Sequence, residues 1–215
     1  MPKPRHHALI DVLGAELVPV RRLLPPWLRT LGWLALVAVF AALLFVHYGD
    51  RPMLRRWAGA PDLAWAALGA VLTAITAAWA AFALAVPGRA SLWAWLPLPP
   101  ALLWIGASGL GCLRTWLAPD TSIATLHQSA DCLVFIISFS IPLSVLLVWL
   151  LRRACPLRPV LTALLVGLAS AAASACLLEI CHSYDAAATD LLTHALAVLI
   201  VVVANAAMGG RLLSR

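Results

Sequence analysis

The chain has 215 residues, 63% of them hydrophobic and only 11% charged, with a formal net charge of +6. A soluble domain carries about 25% charged residues, so the deficit excludes a soluble globular protein and indicates an integral membrane protein. The positive balance does not call for direct nucleic-acid binding, because the fifteen Lys and Arg residues are spread over short connections rather than gathered on one face.

Five cysteines include no CxxC pair, which argues against a zinc ribbon and against a thioredoxin-like redox motif. The first apolar run begins near Leu31 and is too long for the h-region of a cleavable signal peptide.

Residues 1–29 form the one extended polar segment and are read as a cytoplasmic N-terminal unit, with 30–215 as the membrane domain. From His7 to Arg22, the residues Ile10, Leu13, Leu17 and Val20 fall at helical spacing, with Asp11, Glu16 and Arg21 off the stripe. Pro19 should end or bend this helix, and Pro25-Pro26 closes the segment before Trp27 enters the membrane interface. Such a stripe suits a partner groove, with Arg21 and Arg22 beside it. A helix lying flat on lipid headgroups would carry the same pattern.

Six apolar runs follow, near residues 31–48, 63–86, 92–112, 132–151, 160–180 and 191–208. Each approaches the roughly 20 residues that cross a bilayer. The predicted fold is therefore all-α: a six-helix transmembrane bundle with both termini on the same side. The third run starts in the Pro-rich stretch Pro97–Pro100, and Pro142 should kink the fourth. Gly167, Ala171 and Ala175 recur every four residues in the fifth, which predicts a close helix contact.

Eleven of the fifteen basic residues fall on the side of the N-terminal segment, and Arg51, Arg55, Arg56 and Arg114 on the other. That distribution places both termini in the cytoplasm of a multi-pass inner-membrane protein. His47, His127, His182 and His194 then lie at the outer rim with Cys112, Cys132 and Cys181, and Cys176 about one turn deeper. The densest stretch runs from Glu179 through Cys181, His182 and Asp185 to Asp190 and His194. Thiolates and imidazoles suit copper or zinc, and exposed thiols suit oxidation. Cys132, Cys181, His182, Asp185 and His194 are the candidate sensing residues, with Cys132, Cys181 and His182 the metal-ligand candidates. A structural disulfide between Cys132 and Cys181 is an equal alternative. Cys112 and Cys176 read as small packing residues, and His47 as an interfacial one.

No GxSxG, HExxH, Walker or GxGxxG pattern occurs, so no enzyme is expected, and nothing in the chain requires a cofactor or a small-molecule substrate. Gly106–Gly111 lies inside an apolar run and reads as helix packing. A small metal-ion binding or transport protein is the rival reading, but transport places ionisable residues at span centres, and these centres are apolar or carry only Ser and Thr.

Several segments taken in order resemble the NrsF family of membrane anti-sigma factors. They are Glu16–Trp27 before the first span, Ala85–Arg89 after the second, Cys132 opening the fourth with Pro142 inside it, and Arg152–Pro159 before the fifth. The Cys181-His182-x-x-Asp185 connection and Gly209–Leu213 complete the series. The resemblance covers nearly the whole chain; this chain departs from the family pattern in the last outer connection, with Cys181-His182-Ser183-Tyr184 where a His-Cys order followed by Pro and Glu is expected. It implies a six-span inner-membrane protein that sequesters an ECF sigma factor, chiefly through its N-terminal segment. It also implies release in response to heavy metals or oxidants through two cysteines, matched here by Cys132 and Cys181.

Overall fold

The computed structural model describes residues 4–16, 23–49, 54, 57, 61–117, 126–154, 156–181 and 188–213. Among them are seven α-helices, one 3-10 segment and no strand. A short helix, α1 (Pro4–Ala15), precedes six long ones: α2 (Pro26–Tyr48), α3 (Pro61–Leu84), α4 (Leu98–Leu117), α5 (Leu126–Leu151), α6 (Pro159–Cys181) and α7 (Ala188–Leu213). All six long helices are apolar enough to cross a bilayer by length and composition, as the apolar runs predict.

The boundaries follow from local chemistry. Helix α2 starts at Pro26, whose fixed φ and missing N–H fit the first helical position, so it begins five residues before the apolar run. That start carries Trp27 and Arg29 into the helix, whereas the composition pattern leaves Arg29 in the polar segment. Helix α3 ends in a turn where Gly88 adopts φ +81°, a conformation open to glycine. The third apolar run is broken: Ser91–Trp95 is a 3-10 segment, and α4 begins only at Leu98, with Pro99 and Pro100 in its first turn. Helix α5 starts at Leu126, so Cys132 lies inside it rather than at its opening. Helix α7 continues to Leu213, making Gly209-Gly210-Arg211 helical.

The N-terminal helix also differs from expectation. It runs from Pro4 to Ala15, with Glu16 in a turn, and therefore carries Ile10 and Leu13 of the predicted stripe. Leu17, Val20, Arg21 and Arg22 lie outside the described residues.

Two helices are inner and four outer. In α6 67% of the span is buried and in α3 61%, against 11–28% for the rest. The inner pair is rich in alanine, with Ala74, Ala77, Ala78 and Ala81 of α3 and Ala163, Ala169, Ala172 and Ala173 of α6 in the main core. In lipid no hydrophobic force separates helix from solvent, and small residues let backbones approach for dispersion contact. Gly167 shows this directly. A Cβ built there would stand 2.8 Å from Val202 Cα, so α6 and α7 touch backbone to backbone. Gly69 of α3 meets the Trp104 backbone of α4 in the same way. The predicted Gly167, Ala171 and Ala175 seam is buried throughout.

Candidate sensing end and output end

Successive long helices alternate in direction, so the bundle has two chemically different ends. At one stand Arg29, Arg89, Arg152, Arg153, Arg158 and Arg211. At the other stand Cys132, Cys181, Glu179, Asp62, His47 and His194. The first is the basic end and the second the thiol end.

Two buried polar pairs set the helix register. Ser140 donates to Ser174 at 3.1 Å, joining antiparallel α5 and α6. Asn205 donates through its Nδ2 to Ser144 at 3.2 Å, joining α5 and α7, which run parallel, and within α7 to the Val201 carbonyl at 2.9 Å. Counting eight residues from Ser140 toward the thiol end reaches Cys132, and the same eight from Ser174 passes the end of α6 by one residue beyond Cys181. Counting twelve from Ser144 again reaches Cys132, and twelve from Asn205 reaches Thr193, next to His194. One turn deeper, Ile136, Leu178 and Ala197 occupy the same count and pack with Cys132 in one buried cluster. Tertiary structure therefore brings Cys132, Cys181 and His194, from three helices, to a single level.

Their surroundings differ. Cys132 is buried, 6% exposed, while Cys181 is half-buried and its thiol donates to the Leu177 carbonyl one turn back at 4.0 Å. None of Cys112, Cys132, Cys176 and Cys181 is in a disulfide. Cys176 contacts the Ala67 carbonyl of α3 at 4.0 Å, in keeping with a packing residue. His47 is exposed, its ring 5.9 Å from that of Tyr48. His182, Asp185 and Cys155 lie outside the described residues. Among the described residues, no three His, Cys, Asp or Glu side chains gather as a metal site.

Helix α1 exposes Leu9, Ile10, Val12 and Leu13 at 55–60%. Arg29, by contrast, is buried, 6% exposed. It donates through Nη2 to the Leu150 carbonyl in the last turn of α5, and its guanidinium lies 4.4 Å over the Phe82 ring of α3. Trp33, one turn on, donates its indole N–H to the Leu143 carbonyl of α5 at 3.1 Å. Sequence reasoning counted Arg29 only as a topology charge and gave Trp33 no role. The Pro25-Pro26 pair was the available signal, since it starts the helix early enough to carry Arg29 inside.

A family model for NrsF, the negative regulator of sigma F, matches residues 13–214. The chain belongs to the NrsF family. The match spans all six long helices and begins within α1, leaving Ile10 outside it and Leu13 inside. No curated protein and no solved structure matches the chain. NrsF membership makes this a regulatory protein whose partner is a sigma factor, and it agrees with the resemblance carried by the ordered sequence segments.

Proposed function

We infer that the chain is an inner-membrane anti-sigma factor that holds an ECF sigma factor at the basic, cytoplasmic end and releases it when the thiol end is oxidised or binds a soft metal such as copper. The single observation that carries this reading is the family match across the whole six-helix bundle. The arginines at one end support its orientation, because basic residues are retained on the cytoplasmic side. The exposed apolar residues of α1 support the output, since a helix with unfilled apolar surface suits a partner's groove. Both termini are then cytoplasmic, and the surface facing lipid is that of the four outer helices.

The signal step follows from thiol chemistry. Cys132 and Cys181 each lose a proton, one S–S bond forms, and two electrons pass to the oxidant, a peroxide reduced to water or a disulfide reduced to thiols. For a metal signal, both thiols lose protons and bind as thiolates, with His182 as the third ligand. Either event draws α5 and α6 together at one end. It shifts the bundle only as far as the oxidised or metal-bound form favours the second packing; inverting a 99:1 population takes roughly 10⁴-fold preference.

The decisive experiment is co-purification of the detergent-solubilised protein with candidate sigma factors, with and without residues 1–26. Retention by the full chain and loss on truncation is the expected result. Retention of no sigma factor by either form would overturn the reading.

A further inference from the structure

The inner connections of α2 are unusual for an outer helix. Its buried residues are Arg29, Thr30 and Trp33, all within its first two turns. Two of them, one helical turn apart, donate to backbone carbonyls of a single neighbour, α5: Arg29 to Leu150 and Trp33 to Leu143. These are polar bonds in an apolar layer, where an unmade bond is expensive. The Arg29 guanidinium also meets the carbonyl end of α5, where the helix dipole favours a cation. Its other terminal nitrogen, Nη1, is buried with no hydrogen-bond partner, so the Leu150 bond carries much of its satisfaction.

Helix α5 is the element that also carries Cys132. Between its ends lies Pro142, which lacks an N–H and leaves the Ser138 carbonyl without its helical donor. On either side of that weak point α5 is pinned, through Ser140 to α6 and through Ser144 to α7. One helix thus runs from the thiol end, through a proline joint held from both flanks, to the two carbonyls gripped by α2. Helix α2 follows directly on the segment that bears α1.

We propose that Arg29 and Trp33 form a clasp on α5 that couples the thiol end to the N-terminal segment: closed while the thiols are reduced, and opened when α5 moves. Both bonds of the clasp are made in the structure. Arg29 and Trp33 are positioning residues and touch neither sigma factor nor signal. This rests on the anti-sigma reading for its output, but the clasp itself is measurable without any sigma factor.

The test uses the full-length protein in detergent with Arg29→Met and, separately, Trp33→Phe, which keeps the ring and removes the indole donor. Amide hydrogen exchange is followed over residues 26–33, reduced and after a thiol oxidant. In the unaltered protein, oxidation should raise exchange there at least tenfold. Arg29→Met should show the raised rate already when reduced, and Trp33→Phe a smaller rise in the same direction. Both variants should still form the Cys132–Cys181 disulfide, and each should retain less sigma factor when reduced. Unchanged exchange in Trp33→Phe, together with normal oxidant-driven release, would overturn the clasp even if Arg29→Met fails to fold. If the unaltered protein retains no sigma factor yet its exchange follows the thiol state, the clasp stands and the anti-sigma reading falls. Exchange indifferent to oxidation in a protein that does release sigma factor has the reverse meaning.

Discussion

Replacing Gly167 with alanine tests the contact on which the thiol-end register depends. The added Cβ would stand 2.8 Å from Val202 Cα, 3.0 Å from the Val201 carbonyl oxygen and 3.1 Å from Asn205 Cβ. Carbon atoms prefer about 3.5–4.0 Å, so the first of these contacts is short by roughly 1 Å. Two of the three neighbours are backbone and cannot leave by changing rotamer; α7 as a whole has to move. Overpacking of this kind costs about 1–3 kcal/mol. Because Asn205 is itself one of the crowded residues, the shift also strains its bond to Ser144. The assay is unfolding by SDS in mixed micelles, followed by far-UV circular dichroism. Gly106→Ala is the internal control, for a Cβ there has nothing within 4 Å and should be neutral or slightly favourable. The expected outcome is a Gly167→Ala midpoint well below that of Gly106→Ala, with slower Cys132–Cys181 disulfide formation. Indistinguishable midpoints would refute a backbone-to-backbone contact between α6 and α7.

A double-mutant cycle on Ser144→Ala and Asn205→Leu, read by the same unfolding assay, should give a coupling near 0.6 kcal/mol and no more than about 1.7 kcal/mol; zero coupling would remove the pair as a determinant of register. Replacing Cys132 and Cys181 together with serine should leave repression intact and abolish induction in a reporter strain, whereas constitutive transcription would make the cysteines structural. Leu9→Asp with Leu13→Asp should weaken sigma-factor retention more than tenfold, since each leucine buried in a groove is worth about 1.5–3 kcal/mol. Both side chains are more than half exposed, so the SDS midpoint should not change. Undiminished retention would rule out α1 as the output surface.

Only part of the candidate site was legible before the structure. Cys181 and His194 are thirteen residues apart, and their grouping with His182 and Asp185 came from simple proximity along the chain. Cys132 joins them through the family resemblance and its place at a span end, and the apolar span in α5 does begin near it, at Ala130, although the helix itself starts at Leu126. The N-terminal stripe reaches Val20 in the sequence, with Pro19 expected to end or bend it; α1 ends at Ala15, next to Gly14, a poor helix residue, and Leu17 and Val20 lie outside the described residues.

The amino-acid sequence by itself determined that there are six helices long and apolar enough to cross a membrane, roughly where each lies, and which end is basic. A bilayer admits only backbone that bonds to itself, so an apolar run of sufficient length has one available conformation. The order of short motifs along those spans was enough to indicate the family. Tertiary structure alone decided which helices are inner, how α5, α6 and α7 are registered, and that Arg29 turns inward to hold α5. Lipid is as apolar as the helix faces it covers, so no hydrophobic pattern distinguishes a buried face from an exposed one. The arrangement is set instead by glycine and alanine contacts and by a few polar bonds whose partners lie more than thirty residues apart, as Ser140 and Ser174 do.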